Sequence, residues 1–145
     1  MEIKKLVLVR GLPGSGKSTF ADMLSELAGF QSFSLDTFFM DEKGNYVFDF
    51  KRNHLAYKDC QNKVEIAMKA EAPRILVDQT FALLWEIQPY LELGKKYSYQ
   101  IFVCTMENRH EGENIHGITD EQMVKMSKNF NLQLLPERLR SKNES

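Results

Sequence analysis

Cysteine, proline and tryptophan are scarce in this 145-residue chain: two, four and one respectively. Cys60 and Cys104 alone build neither a disulfide framework nor a metal-ligand cluster. They suit a reducing compartment, with no disulfide partner expected, and both are read as small buried hydrophobes. No apolar run approaches the roughly 20 residues of a membrane span, so no membrane partner is expected. The N-terminal lysines lead into a strand rather than into the apolar core of a signal peptide, and a cytoplasmic location follows as an expectation. A basic excess is also missing: 19 Lys and Arg stand against 20 Asp and Glu, a net charge of −1. That balance excludes a broad electrostatic grip on long nucleic acid. A short strand end or a small phosphorylated molecule stays within reach. The chain has neither an internal repeat nor a low-complexity segment. With 43% hydrophobic and 27% charged residues, it reads as one globular domain over 1–137, able to bury its apolar surface without staples. A charged, frayed tail is expected over 138–145.

What is present is concentrated early. Gly11-Leu12-Pro13-Gly14-Ser15-Gly16-Lys17-Ser18 fills every fixed position of a phosphate-binding loop. The apolar run Lys5–Val9 precedes it, as expected of a buried parallel strand. Phe20, Met23, Leu24, Leu27 and Ala28 follow at helical spacing. Strand, glycine loop and helix are the context that motif requires. Backbone N–H groups of such a loop close around the β-phosphate, and the new helix points its positive end at the same anion. The pattern predicts that Gly11, Pro13, Gly14, Ser15, Gly16, Lys17, Ser18 and Thr19 bind a nucleoside triphosphate. Lys17 would reach the β- and γ-phosphates and Ser18 would offer its hydroxyl to Mg²⁺.

Beyond the loop, Gly29 should stop the first helix, and Gln31–Leu35 reads as a second strand ending at Asp36. Residues 40–50 read as a hairpin turning at Lys43-Gly44-Asn45. A long helix is expected from about Arg52 to Glu71, with Leu55, Ala56, Cys60, Val64, Ala67 and Met68 as its apolar stripe; Pro73 ends it. Arg74–Asp78 is the next parallel strand. A helix over about Leu83–Leu93 should end at Gly94, and Tyr99–Cys104 forms the next strand. Residues 105–118 read as a polar loop, and Thr119 as the N-cap of a last helix. Strands alternating with helices imply a central parallel sheet with crossover helices, and ligands of such sheets sit beyond the C-terminal strand ends. The phosphate loop, Asp36, Asp78 and the segment after Cys104 should gather on one rim.

Two carboxylates stand where phosphoryl transfer needs them. Asp36 can accept the proton of an in-line hydroxyl; the other reading makes it the N-cap of a turn at Thr37–Met40. Asp78 closes an apolar strand in the Walker B manner, holding Mg²⁺ through water or anchoring the acceptor, unless it is a strand-end turn carboxylate. Gln79 and Thr80 follow, either orienting substrate or serving as turn residues. Arg109, in the polar loop, is the best-placed cation for the γ-oxygens, with a solvated surface arginine as the alternative; Arg10 and Arg52 are less well placed. His110 and His116 have no third ligand at usable spacing for a metal.

With Gly11–Thr19, Ser34-Leu35-Asp36, Val77-Asp78-Gln79-Thr80 and Asn114-Ile115-His116-Gly117-Ile118 in view, the chain resembles the polynucleotide 5′-kinase group of P-loop kinases. Short kinase-like domains related to certain ubiquitin-ligase-binding proteins look closer still. They carry a Ser-x-Asp-Asp-aromatic-Phe stretch and a Gly-x-Tyr-x-Phe-Asp hairpin, matched here by Ser34–Phe39 and Gly44–Asp49. The resemblance covers residues 4 to about 130. It implies an α/β fold, a three-layer α/β/α P-loop NTPase of kinase type with a parallel sheet of about four strands in the order 2-3-1-4. It implies ATP and Mg²⁺ as cofactors, Lys17 and Ser18 as their ligands, and Asp36 as the base. Three positions depart from the pattern. Thr37 replaces a second carboxylate, and Phe39 stands where phage-type enzymes carry an arginine that helps bind the acceptor's phosphate. Glu113 stands where a lid arginine is usual, leaving Arg109 as its substitute. The combined expectation is a phosphotransferase with Asp36, Lys17 and Arg109 as catalytic residues, Asp78 and Thr80 on the substrate, and Ser18 and Asp78 on the metal. The acceptor would be a nucleic-acid 5′-OH or a nucleoside. Its rivals are a small-molecule kinase and an ATP-binding switch with little catalysis.

Overall fold

The computed structural model describes residues 2–113 and 117–140. Four strands, β1 (Lys5–Arg10), β2 (Gln31–Ser34), β3 (Arg74–Gln79) and β4 (Gln100–Thr105), form one sheet in the order β2-β3-β1-β4. Every pairing is parallel. The helices α1 (Lys17–Ala28), α2 (Asn53–Lys69) and α3 (Leu84–Lys96) connect successive strands, followed by α4 (Asp120–Asn129) and the short α5 (Glu137–Arg140). Alternation along β1 divides the core between the two faces of the sheet. Leu6 and Leu8 meet Cys60, Val64 and Met68 of α2 and Ile87 and Tyr90 of α3. Val7 and Val9 meet Ala21 of α1, with Phe20 and Leu24 packed alongside. The result is the three-layer arrangement. Register levels the strand ends on one rim: Arg10 lies beside Gln79 and Thr105, and Ser34 beside Asp78.

Local readings are revised where tertiary packing overrides them. Gly94 does not end α3, which runs on to Lys96. It is buried where a Cβ would lie 2.5 Å from Ile101 Cδ1, so this glycine serves close helix–strand approach. The hairpin over 40–50 reduces to one antiparallel bridge, Met40 to Tyr46. Its turn is closed by Asp41 Oδ1, which accepts from the N–H groups of Lys43 and Asn45. Leu27 is 81% exposed, Met23 and Leu55 are exposed, and the apolar stripes of α1 and α2 are correspondingly narrower. Cys60 is buried but Cys104 only half-buried. Arg138 lies within the short α5, and residues 141–145 of the expected tail lie outside the described residues.

Aromatic contacts tie the excursion and the helices to the rim. Phe39 is buried between Tyr46 and Phe48, ring centroids 6.2 and 5.0 Å away. Between α2 and α3, the Tyr57 and Trp85 rings meet edge-on at 5.3 Å, and the Tyr57 hydroxyl donates to Glu86 at 2.9 Å. Among the described residues, no helix is long and apolar enough to cross a membrane.

Candidate functional site

A cleft of about 340 Å³ opens at the C-terminal rim of the sheet. One wall is the phosphate loop. The Gly11 N–H donates to the Thr80 carbonyl at 3.2 Å. A Cβ on Gly11 would lie 2.5 Å from Ser15 Oγ and 3.1 Å from Met106 Cβ, so the loop's base is wedged between its own far limb and the chain leaving β4. Gly14 and Gly16 hold φ of 85° and 94°, a left-handed backbone that glycine adopts without steric cost. Gly16 is the N-cap of α1, which opens with no side-chain cap and no acid in its first turn. The helix's own N-cap and first turn thus neither cap nor neutralise its positive end, as suits a bound anion. Pro13, Gly14, Gly16, Lys17, Ser18 and Thr19 all line the cleft; Ser15 is buried behind it.

The facing wall comes from β2 and β3: Ser34, Leu35, Asp36, Asp78, Gln79 and Thr80. β2 stops at Ser34, and Leu35–Phe39 form a short 3-10 turn. Ser34 Oγ caps that turn by accepting the Asp36 N–H at 3.2 Å. Asp36 is therefore not the cap, and its carboxylate is placed at the cleft. Asp78 is buried, and burial raises its pKa above the ordinary carboxylate range, opposed by a hydrogen bond from Ser34. Burial lowers the pKa of Lys17, opposed by the charges of Asp78 and then Asp36. The lysine thus sits among both carboxylates. Gln79 turns its amide into the core, where Nε2 donates to the Tyr90 hydroxyl at 3.1 Å, so its side chain is structural.

This donor set fits a magnesium triphosphate. The Ser18 hydroxyl and the Asp78 carboxylate, both on the cleft, are hard oxygen donors of the kind that could hold Mg²⁺. Among the described residues, no group of three or more acidic, His or Cys side chains gathers as an all-protein cage. Two protein oxygens completed by phosphate and water are how Mg²⁺ is ordinarily held.

The segment after β4 closes the cleft from above. Met106 N–H donates to the Arg10 carbonyl at 2.7 Å. The structure does not bring Arg109 to the cleft: its guanidinium pairs with Glu107 at 2.7 Å, and its side chain is 87% exposed. His110, Gly112 and Glu113 line the cleft instead. Asn108 pins the turn, its Oδ1 accepting from the Gly112 N–H at 2.9 Å and its Nδ2 donating to the Gly112 carbonyl at 2.8 Å. Arg10 is 4% exposed and committed to the Asn131 and Ala82 carbonyls and the Phe130 ring. Arg52 lies over the Phe38 ring, 4.9 Å from its centroid. Asn114, Ile115 and His116 lie outside the described residues. Sequence reasoning missed Ser34 as the cap and His110 and Gly112 as cleft residues. Asn108 and Gly112, turn-forming types four apart, are the one signal of a closed loop there.

Comparison with known proteins accords with this geometry. The sequence model of the AAA domain family matches residues 6–114. NEDD4-binding protein 2 of Homo sapiens is 32% identical over 134 residues, 86% of this chain but 8% of that protein. A chain of the Pnkp1/Rnl/Hen1 RNA repair complex superposes with a TM-score of 0.64 at 19% identity, over 97% of this chain and 50% of that one. A gluconokinase from Sinorhizobium meliloti 1021 superposes with a TM-score of 0.59 at 12% identity, over 95% and 81%. These structural likenesses show the fold, a kinase-type P-loop domain.

Proposed function

We propose, from the premise that this chain belongs to the AAA domain family, that it is an ATP- and magnesium-dependent phosphotransferase. The γ-phosphoryl group of ATP would move to an acceptor hydroxyl at a nucleic-acid 5′ end or on a nucleoside. The observation that carries this reading is Asp36, which lines the same cleft as Lys17 and the phosphate loop, while Ser34 caps the turn that carries it. A module that only binds nucleotide has no use for a proton acceptor in that position.

In this mechanism the loop amides and the end of α1 hold the β-phosphate, and Lys17 neutralises charge on the transferring group. Asp36 accepts the hydroxyl proton as the acceptor oxygen bonds to phosphorus and the β–γ bridging bond breaks. Ser18 and Asp78 would hold Mg²⁺, which supplies charge neutralisation on the phosphate oxygens. Thr80, whose carbonyl accepts from Gly11 and which lines the cleft wall, would meet the acceptor.

A small-molecule acceptor is the second reading, and Phe39 favours it. Phe39 is 6% exposed and packed against Phe48, so the position where related enzymes carry an acceptor-binding arginine supplies packing here. One likeness is to a protein of an RNA repair complex and another to a gluconokinase, and the two readings divide along that line. Incubation with γ-labelled ATP and a panel of 5′-hydroxyl oligonucleotides, nucleosides and sugars separates them. Label on the oligonucleotide or nucleoside supports the first reading, and label on a sugar alone supports the second. Transfer to none, with tight ATP binding retained, would leave a binding switch.

A further inference from the structure

The turn over Asn108–Glu113 is seated on the phosphate loop through two close approaches. A Cβ on Gly112 would lie 2.5 Å from the Gly14 carbonyl oxygen, and a Cβ on Gly16 would lie 3.2 Å from His110 Cε1 and 3.6 Å from its Nε2. The two residues that seat the turn, His110 and Gly112, flank Glu111, whose φ of 56° is left-handed. That reversal brings its neighbours down onto the loop together, while the Asn108 side chain holds Gly112 from both sides. The imidazole therefore stands against Gly16, the residue from which α1 begins with no side-chain cap and no acid in its first turn. The neighbouring cation faces the other way, paired with Glu107 in solvent.

We propose that His110 is the group this loop supplies to the triphosphate: a side-chain N–H donor placed beside the helix end, in the role the sequence suggests for Arg109. This rests on the reading of the cleft as a triphosphate site. Imidazole keeps at least one ring N–H in either protonation state, so it can donate to a phosphate oxygen whether neutral or charged. The surroundings favour such a donor. Asp36, Asp78 and Glu113 line the same cleft against Lys17, and a triphosphate brings further negative charge. Gly112 is the enabling partner, because only a residue without Cβ allows the turn to sit against the Gly14 carbonyl.

The test measures equilibrium binding, without turnover, of a non-hydrolysable ATP analogue and of inorganic tripolyphosphate, each with Mg²⁺. His110→Ala should weaken both ligands by about tenfold or more, the effect of losing a hydrogen bond to a charged group. His110→Asn, which keeps a short N–H donor, should recover part of the loss. Melting temperature should be unchanged in both variants, because the imidazole caps no element. Unchanged or tighter binding in His110→Ala would make the imidazole a bystander or a plug and overturn the proposal. Loss confined to the ATP analogue, with tripolyphosphate unaffected, would overturn it too, since the contact would then be with the nucleoside. If Arg109→Ala loses the affinity and His110→Ala keeps it, the arginine is the contact and the proposal fails. Lys17→Ala run alongside separates the two levels: wild-type binding in that variant would remove the triphosphate reading itself, whatever His110 does.

Discussion

Lys17 Nζ donates to the Leu12 carbonyl at 3.0 Å, so the cation that should meet a triphosphate is held by its own loop. Burial lowers its pKa, and Asp78 and Asp36 oppose that shift. An arriving anion competes for the ammonium with that carbonyl and with the charges of Asp78 and Asp36. Lys17→Ala should therefore cost affinity and little stability. Triphosphate binding is expected to fall by about 100-fold or more, the loss of roughly two charge-assisted hydrogen bonds. The melting temperature should stay close to that of the parent. Titration calorimetry and a thermal melt on the same preparation check both halves.

Asp78→Asn should stabilise the protein while removing the proposed metal-dependent transfer. Burial raises the carboxyl pKa in the folded state, so the neutral form is the one folding favours. The stability tied to that form is fully present below the ordinary carboxylate pKa, about 4, and is lost as pH rises through the raised folded value. Asparagine keeps the neutral character at every pH. The variant's melting temperature should exceed the parent's at neutral pH and the gain should vanish in acid. Equal melting temperatures across that range would contradict the burial argument.

Asp36→Asn keeps the side chain's shape and removes the proposed proton acceptor. ATP affinity should persist within a few-fold, and transfer should fall by about 10² to 10⁴. The turn keeps its cap, because Ser34 supplies it. Ser34→Ala is the complementary variant: loss of the cap should cost about 0.5–2 kcal/mol, read by denaturant titration. Full transfer activity in Asp36→Asn would remove the proposed mechanism.

Gly94→Ala inserts a methyl group where Ile101 already stands 2.5 Å from the new Cβ. Overpacking of this kind costs typically about 1–3 kcal/mol. A stability equal to the parent would show that α3 can move away from β4 without penalty.

The phosphate loop and the alternation of strands and helices were legible because both are local. A motif fixed by backbone conformation announces itself through Gly14 and Gly16, and buried parallel strands through the apolar runs beginning at Lys5 and Arg74. Sheet order was legible only through the resemblance, since nothing in Leu6 or Ile75 says which strand neighbours which. Gly94 misled because a helix-ending glycine and a close-packing glycine look alike until the strand opposite is known. Arg109 misled for a related reason. Spacing placed a cation in the right loop, but the left-handed turn at Glu111 and the clamp from Asn108 decide which side chain faces inward, and those are properties of the folded loop.

The edge-on meeting of Trp85 with Tyr57 has a practical consequence for optical measurements. Trp85 is the sole tryptophan, and it stands at the start of α3 against a ring carried by α2. Intrinsic fluorescence excited at the indole therefore reports on one seam of the molecule, and because the indole is already 58% exposed, its change on denaturation will come from parting with the Tyr57 ring rather than from a large red shift. Movements of the turn over the phosphate loop, or of α4, carry no indole and will pass unseen by that signal. A tryptophan introduced at an exposed position of α4, such as Val124, would give the other half of the molecule its own colour.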